Sequence, residues 1–123
     1  MDINKLFNIN GRTALITGGS RGIGEMIAAG FLANGVKVYI TARKEAPLIE
    51  KAKELSEKFN GECIAIPCDL SNMEGIQKLA YDYLNYEDSL DILVNNAGAA
   101  WGEPYENFSE KGWDKVMDTN VKS

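Results

Sequence analysis

Histidine is absent from this chain of 123 residues, so no catalytic triad built on an imidazole base can be assembled from it. Cysteine is scarce: Cys63 and Cys68 share one apolar stretch and have no second pair. A zinc site wants about four ligands, and these thiols have no imidazoles to complete them, so no metal site is expected. Both cysteines are expected to be reduced and to lie in or beside a buried strand of a cytoplasmic protein. Only 3 prolines occur, and no repeat, low-complexity tract or linker-like run divides the sequence, which predicts a single domain. No apolar run approaches the roughly 20 residues of a membrane span. Met1 to Asn10 lacks the basic-then-apolar order of a secretory leader. Positive charge is in deficit as well. The 13 Lys and Arg against 18 Asp and Glu leave a net charge of −5, without the basic face that a nucleic-acid partner requires.

What is present suits one globular core: 45% of the residues are hydrophobic and 25% charged. A chain of this size buries roughly two thirds of its unfolded surface. Short apolar runs alternate with helical patterns. Ala14 to Ile16 reads as a strand, followed by Ile23, Ile27, Phe31 and Leu32 at helical spacing and a stop at Asn34-Gly35. Val36 to Ile40 is the second strand. Leu48, Ala52, Leu55 and Phe59 mark a second helix that ends at Asn60-Gly61. Cys63 to Ile66 is the third strand, and Ser71 with Glu74 reads as a capping box for the helix carrying Ile76, Leu79 and Tyr83. Leu90 to Val94 is the fourth strand, and a final helix is expected from about Trp113. Continuous apolar strands between helices predict an α/β fold, a doubly wound parallel sheet of Rossmann type.

The first strand meets the first helix at Thr17-Gly18-Gly19-Ser20-Arg21-Gly22-Ile23-Gly24. Glycines there allow a backbone to approach a pyrophosphate closely, and the helix amino terminus offers free N–H groups and a positive dipole end. A turn that merely needs glycine is the plainer alternative, but the strand-before, helix-after placement favours phosphate binding. A nucleoside-triphosphate P-loop fails, because its Lys and Ser/Thr would fall on Glu25 and Met26. At the end of the second strand, where an Asp or Glu about 20 residues past the glycines would meet a ribose 2′-hydroxyl, stands Arg43. A guanidinium there attracts a 2′-phosphate, with Arg21 within reach of the same group, so NADP(H) is favoured over NAD(H). Lys44 reads equally as a solvated charge, and Glu45 as a ribose ligand.

These residues resemble the short-chain dehydrogenase/reductase family. The resemblance rests on the loop Thr17 to Gly24, on Asp69 after the third strand, on Asn95-Asn96-Ala97-Gly98 after the fourth, and on Asn120 in Thr119-Asn120-Val121. Within the family, Asn95 to Gly102 and Gly112 to Met117 look most like the rhamnolipid type of 3-oxoacyl-[acyl-carrier-protein] reductase. The resemblance implies a strand order of 3-2-1-4. It places Gly18, Ser20, Arg21, Gly22, Ile23 and Gly24 along the pyrophosphate and ribose. Asp69 would accept from the adenine amino group, with Leu70 adding a backbone contact. Asn96, Ala97 and Gly98 would lie beside the adenosine ribose, and Asn120 would support a proton relay.

The implied reaction is hydride transfer from a nicotinamide to a carbonyl, of a small molecule or an acyl thioester, with a tyrosine as general acid aided by a serine and a lysine. The sequence departs from that pattern, because none of its five tyrosines begins a Tyr-x-x-x-Lys. The chain is therefore expected to be the cofactor-binding half of a longer, homo-oligomeric enzyme, truncated before the later strands and inactive alone. In that case the fourth strand is left as an unpaired apolar edge. Two other classes remain to be weighed. A nucleotide-binding module without chemistry suits these residues as they stand. An S-adenosylmethionine-dependent methyltransferase is disfavoured by Arg43 and by Asn95-Asn96-Ala97-Gly98.

Overall fold

Four parallel strands form one sheet in the order β3-β2-β1-β4, as the resemblance implied, in a computed structural model that describes residues 1–123. The strands are β1 (Thr13–Thr17), β2 (Lys37–Thr41), β3 (Cys63–Ala65) and β4 (Ile92–Val94). A short α1 (Ile3–Leu6) precedes them, and α2 (Gly22–Ala33), α3 (Glu45–Phe59) and α4 (Met73–Leu84) make the crossovers. After β4 a loop with one 3₁₀ turn at Tyr105–Asn107 leads to α5 (Glu110–Met117), which widens into a π turn at Asp118–Lys122.

The two-residue period of the strands sorts their side chains onto two faces. On one, Ala14, Ile16, Val38 and Ile40 pack beneath α2 and α3 against Ala28, Leu32, Leu48, Ala52 and Leu55. On the other, Leu15 and Tyr39 meet Ile66, Leu79 and Tyr83 under α4. Side chains such as Ile16, Ile40 and Leu48 are wholly buried, and each contributes roughly 1.5–3 kcal/mol. The Tyr39 ring meets Tyr83 edge-on at 4.9 Å, and its hydroxyl donates to Glu87 Oε1 at 2.6 Å. Lys37 Nζ lies 2.6 Å from the same oxygen. This cluster closes the end of the sheet remote from the strands' carboxyl termini.

Coverage on both faces holds for β1 and β2 but not for β4. Leu93, in register with Leu15, is 54% exposed, and β4 hydrogen-bonds only to β1, the apolar edge expected from the sequence. Two helix starts differ from expectation. α4 is capped by Asn72, whose Oδ1 accepts from Gly75 N at 2.8 Å, not by Ser71. The Ser71 N–H instead donates to Asp69 Oδ1 at 2.9 Å. α5 begins at Glu110, ahead of the expected Trp113, because Ser109 Oγ accepts from Gly112 N at 3.1 Å and starts the helix early.

Candidate functional site

Parallel strands deliver the loops that follow them to one edge of the sheet, and here those loops enclose a cavity of about 860 Å³. Its floor is the glycine loop. Gly18 has φ +68° and lies so close to the segment after β4 that a Cβ would stand 3.1 Å from Ala97 Cα. A Cβ on Gly24 would come within 2.2 Å of the Gly18 carbonyl oxygen. Only glycine permits either approach. No side chain caps α2, whereas Asn72 and Ser109 cap α4 and α5. Its first-turn N–H groups are therefore left without the usual side-chain acceptor.

Thr17 and Asn96 lock this floor to β4. Thr17 Oγ1 accepts from Asn96 N and Ala97 N, both at 2.9 Å, and donates to Val94 O at 3.3 Å. Asn96 Nδ2 donates to Thr17 O at 3.0 Å and to Gly18 O at 3.1 Å. Gly19 N donates to Thr41 O at 3.1 Å, which joins the loop to β2 as well.

Of the residues singled out from the sequence, Gly18, Ser20, Arg21, Arg43, Asp69, Leu70, Asn96, Ala97 and Gly98 all line the cavity. Gly22, Ile23 and Gly24 do not. Gly24 is buried behind Gly18, and Ile23 points outward, 65% exposed. Asn120 sits in the π turn, where its Oδ1 accepts from Ala99 N at 2.8 Å and its Nδ2 donates to Ala99 O at 2.9 Å. It thereby fastens α5 to the loop that forms the cavity wall.

The electrostatics are one-sided. Five cations line the cavity, Arg21, Arg43, Lys44, Lys111 and Lys115, and none of them forms a salt bridge. Two carboxylates share the lining, and both are engaged: Asp118 lies 2.8 Å from Lys122, and Asp69 accepts from Ser71 N. The Ser71 N–H, with a smaller contribution from the charge of Arg43, holds the Asp69 carboxyl below its ordinary range. Asp69 is thus an ionised acceptor at the mouth of the site. Cys68 also lines the cavity, with its Sγ 2.9 Å from Thr41 Oγ1, and burial raises its thiol pKa. Cys63 is pushed up to about 12 by burial, and both cysteines are free and buried. No His/Cys/Asp/Glu cluster suited to a metal is present.

Lys111, Lys115, Asp118 and Thr119 escaped the sequence reading. Their signal was there, as Lys111, Lys115 and Thr119 repeat every fourth residue and so share one helix face. Trp113 and Val116, the apolar residues of this helix, mark a different face.

A parallel 3-2-1-4 sheet, with a glycine turn feeding an uncapped helix at the carboxyl ends of its strands, is the Rossmann-type arrangement. Residues 12–123 match the short chain dehydrogenase family, and the chain belongs to that family. It is 49% identical over 117 residues to the rhamnolipids biosynthesis 3-oxoacyl-[acyl-carrier-protein] reductase of Pseudomonas aeruginosa, covering 95% of this chain and 45% of that protein. The structure of the Pseudomonas aeruginosa RhlG/NADP active-site complex superposes with a TM-score of 0.89 at 48% identity, over 94% of this chain and 44% of that one. L-sorbose reductase from Gluconobacter frateurii, solved with NADPH and L-sorbose, gives a TM-score of 0.88 at 33% identity, over 94% and 44%. The chain thus spans less than half the length of these relatives. No helix is long and apolar enough to cross a membrane.

Proposed function

We propose that these residues form the cofactor-binding half of an NADP(H)-dependent carbonyl reductase, acting on a 3-oxoacyl thioester. One observation carries the reading: the cavity above the glycine loop is ringed by five cations without carboxylate partners, in a chain of net charge −5. Unpaired positive charge is retained where a polyanion neutralises it. A volume of about 860 Å³ and a floor that a Cβ would obstruct suit a dinucleotide. A nicotinamide dinucleotide, when bound, supplies the hydride.

The chain's own residues hold and orient it. The amides of the glycine loop at the cavity, those of Gly18, Ser20 and Arg21, receive the diphosphate, and the uncapped start of α2 behind them adds its positive dipole end. Arg43, aided by Arg21, receives a 2′-phosphate and sets the preference for NADP(H) over NAD(H). Asp69 accepts from the adenine amino group, Leu70 supports it from the backbone, and Asn96, Ala97 and Gly98 flank the ribose. Asn120 keeps α5 and the wall at Ala99 together, the framework for a proton relay.

The serine and the Tyr-x-x-x-Lys that would protonate the product are not among these residues, so they bind cofactor without turnover by themselves. The 49% identity to a 3-oxoacyl-[acyl-carrier-protein] reductase supports the thioester substrate. A nucleotide-binding module without chemistry is the second reading, favoured by the absence of Tyr-x-x-x-Lys. Titration of these residues with NADPH tests both readings, and addition of a 3-oxoacyl thioester to a chain extended to carry the serine and a Tyr-x-x-x-Lys separates them. Saturable binding supports both readings, consumption of NADPH supports the reductase alone, and no binding removes both.

A further inference from the structure

We propose that Lys111 and Lys115, seated on the Trp101 ring, form a cationic jaw on α5 along the cavity that Arg21 and Arg43 also line, and add to dinucleotide affinity in proportion to phosphate charge. The inference rests on the cofactor reading above and adds a wall to it.

Lys111 and Lys115 are four residues apart on α5, and like charges at that spacing repel. Relief was available nearby, because Asp114 lies three residues after Lys111 on the same helix, yet it pairs with neither lysine. Instead both ammonium groups lie over one indole, Lys115 Nζ at 5.1 Å and Lys111 Nζ at 5.8 Å from its centroid. The ring's negative face eases their repulsion without neutralising them. Trp101 can reach that position because Gly112 has no side chain, since a Cβ there would stand 2.3 Å from the indole Cδ1. The helix that carries the pair is pinned to the cavity wall by the two Asn120–Ala99 bonds. Ala97, in the same wall, sits on Gly18. The lysines are thus positioned and uncompensated, and they line the cavity whose floor is the glycine loop.

The test is a fluorescence titration of NADPH and NADH against the wild-type protein and two charge-matched double variants at several salt concentrations. Lys53 and Lys58, on α3, are also free of carboxylates and lie away from the cavity, so K53Q/K58Q changes net charge equally. K111Q/K115Q should weaken NADPH about tenfold and NADH about threefold, because NADPH carries roughly twice the phosphate charge, with a shallower salt dependence for both. K111R/K115R should restore wild-type affinity, since arginine keeps both the charge and the stacking on Trp101. If K111Q/K115Q matches K53Q/K58Q for both dinucleotides, the jaw does not exist. Equal circular dichroism spectra exclude misfolding as the cause of any loss. Failure of the wild-type protein to bind either dinucleotide would instead overturn the cofactor reading, an outcome distinct from a missing jaw.

Discussion

Asn96 donates twice to Thr17, through its backbone N–H to Oγ1 at 2.9 Å and through Nδ2 to the carbonyl oxygen at 3.0 Å. A third bond from the same Nδ2 reaches Gly18 O at 3.1 Å. The two carbonyls at the start of the glycine loop are therefore both claimed from the β4 side by one side-chain amide. Asn96→Ala leaves both without that donor and should cost about 1–3 kcal/mol. Thermal unfolding should show a lower midpoint and titration a weaker grip on NADPH; an unchanged pair of values would show that the loop holds its shape unaided.

Two glycines of α2 should respond in opposite ways to the same substitution. Gly24→Ala puts a methyl 2.2 Å from Gly18 O and must displace the loop, costing roughly 1–3 kcal/mol. At Gly30, in the same helix, a Cβ meets nothing within 4 Å, so Gly30→Ala should stabilise by about 0.5–1 kcal/mol. Chemical denaturation of the pair checks both signs at once.

If Arg43 receives the 2′-phosphate as proposed, it sets the choice between cofactors. Arg43→Gln should weaken NADPH about tenfold or more, from the loss of charge-assisted bonds worth roughly 1.5–3 kcal/mol, while NADH changes little. Comparing the two dissociation constants tests this; a parallel loss for both would move Arg43 away from the 2′-phosphate.

Stability should fall at both extremes of pH through the cluster on β2. Hydrogen bonds from Lys37, then from Tyr39, hold Glu87 below its ordinary value of 4.5. A depressed carboxyl stabilises the fold above 4.5, and the gain is lost as pH falls from there through the lower value it has in the fold. Burial, then the bond to Glu87, raises Tyr39 from 10.0 to about 12. Its neutral form is thus favoured in the fold, and that stability is lost as pH climbs from 10.0 toward 12. In unfolding experiments across pH, Glu87→Gln should flatten the acid limb and Tyr39→Phe the alkaline one. If both variants keep the wild-type profile, the cluster is not what titrates.

The parts of the fold legible in the sequence were those written in local pattern. The glycine turn, the four strands and the helix stop at Asn60, with φ 48°, each follow from a few neighbouring residues. Strand order came from resemblance, and the sheet has that order; most of the site constellation came from resemblance too, and nine of its residues share one cavity. The sequence offers Ser71 as the cap of α4, but its neighbour Asn72 takes that place, with Oδ1 accepting from Gly75 N. The tie that Thr17 makes to Asn96 and Ala97 is not visible in local pattern, because those partners lie about 80 residues away. The lysine face of α5 was hidden because apolar periodicity finds the side of a helix that meets a core, and this side meets a cavity.

The central claim is that the backbone between Thr17 and Gly24 grips a dinucleotide's diphosphate. Amide chemical shifts of the isotope-labelled protein, followed during an NADPH titration, test it directly. The account predicts the largest changes at Ser20 to Gly24, with smaller ones at Arg43, Asp69 and Ala97. Saturable binding that leaves Ser20 to Gly24 unmoved would contradict it.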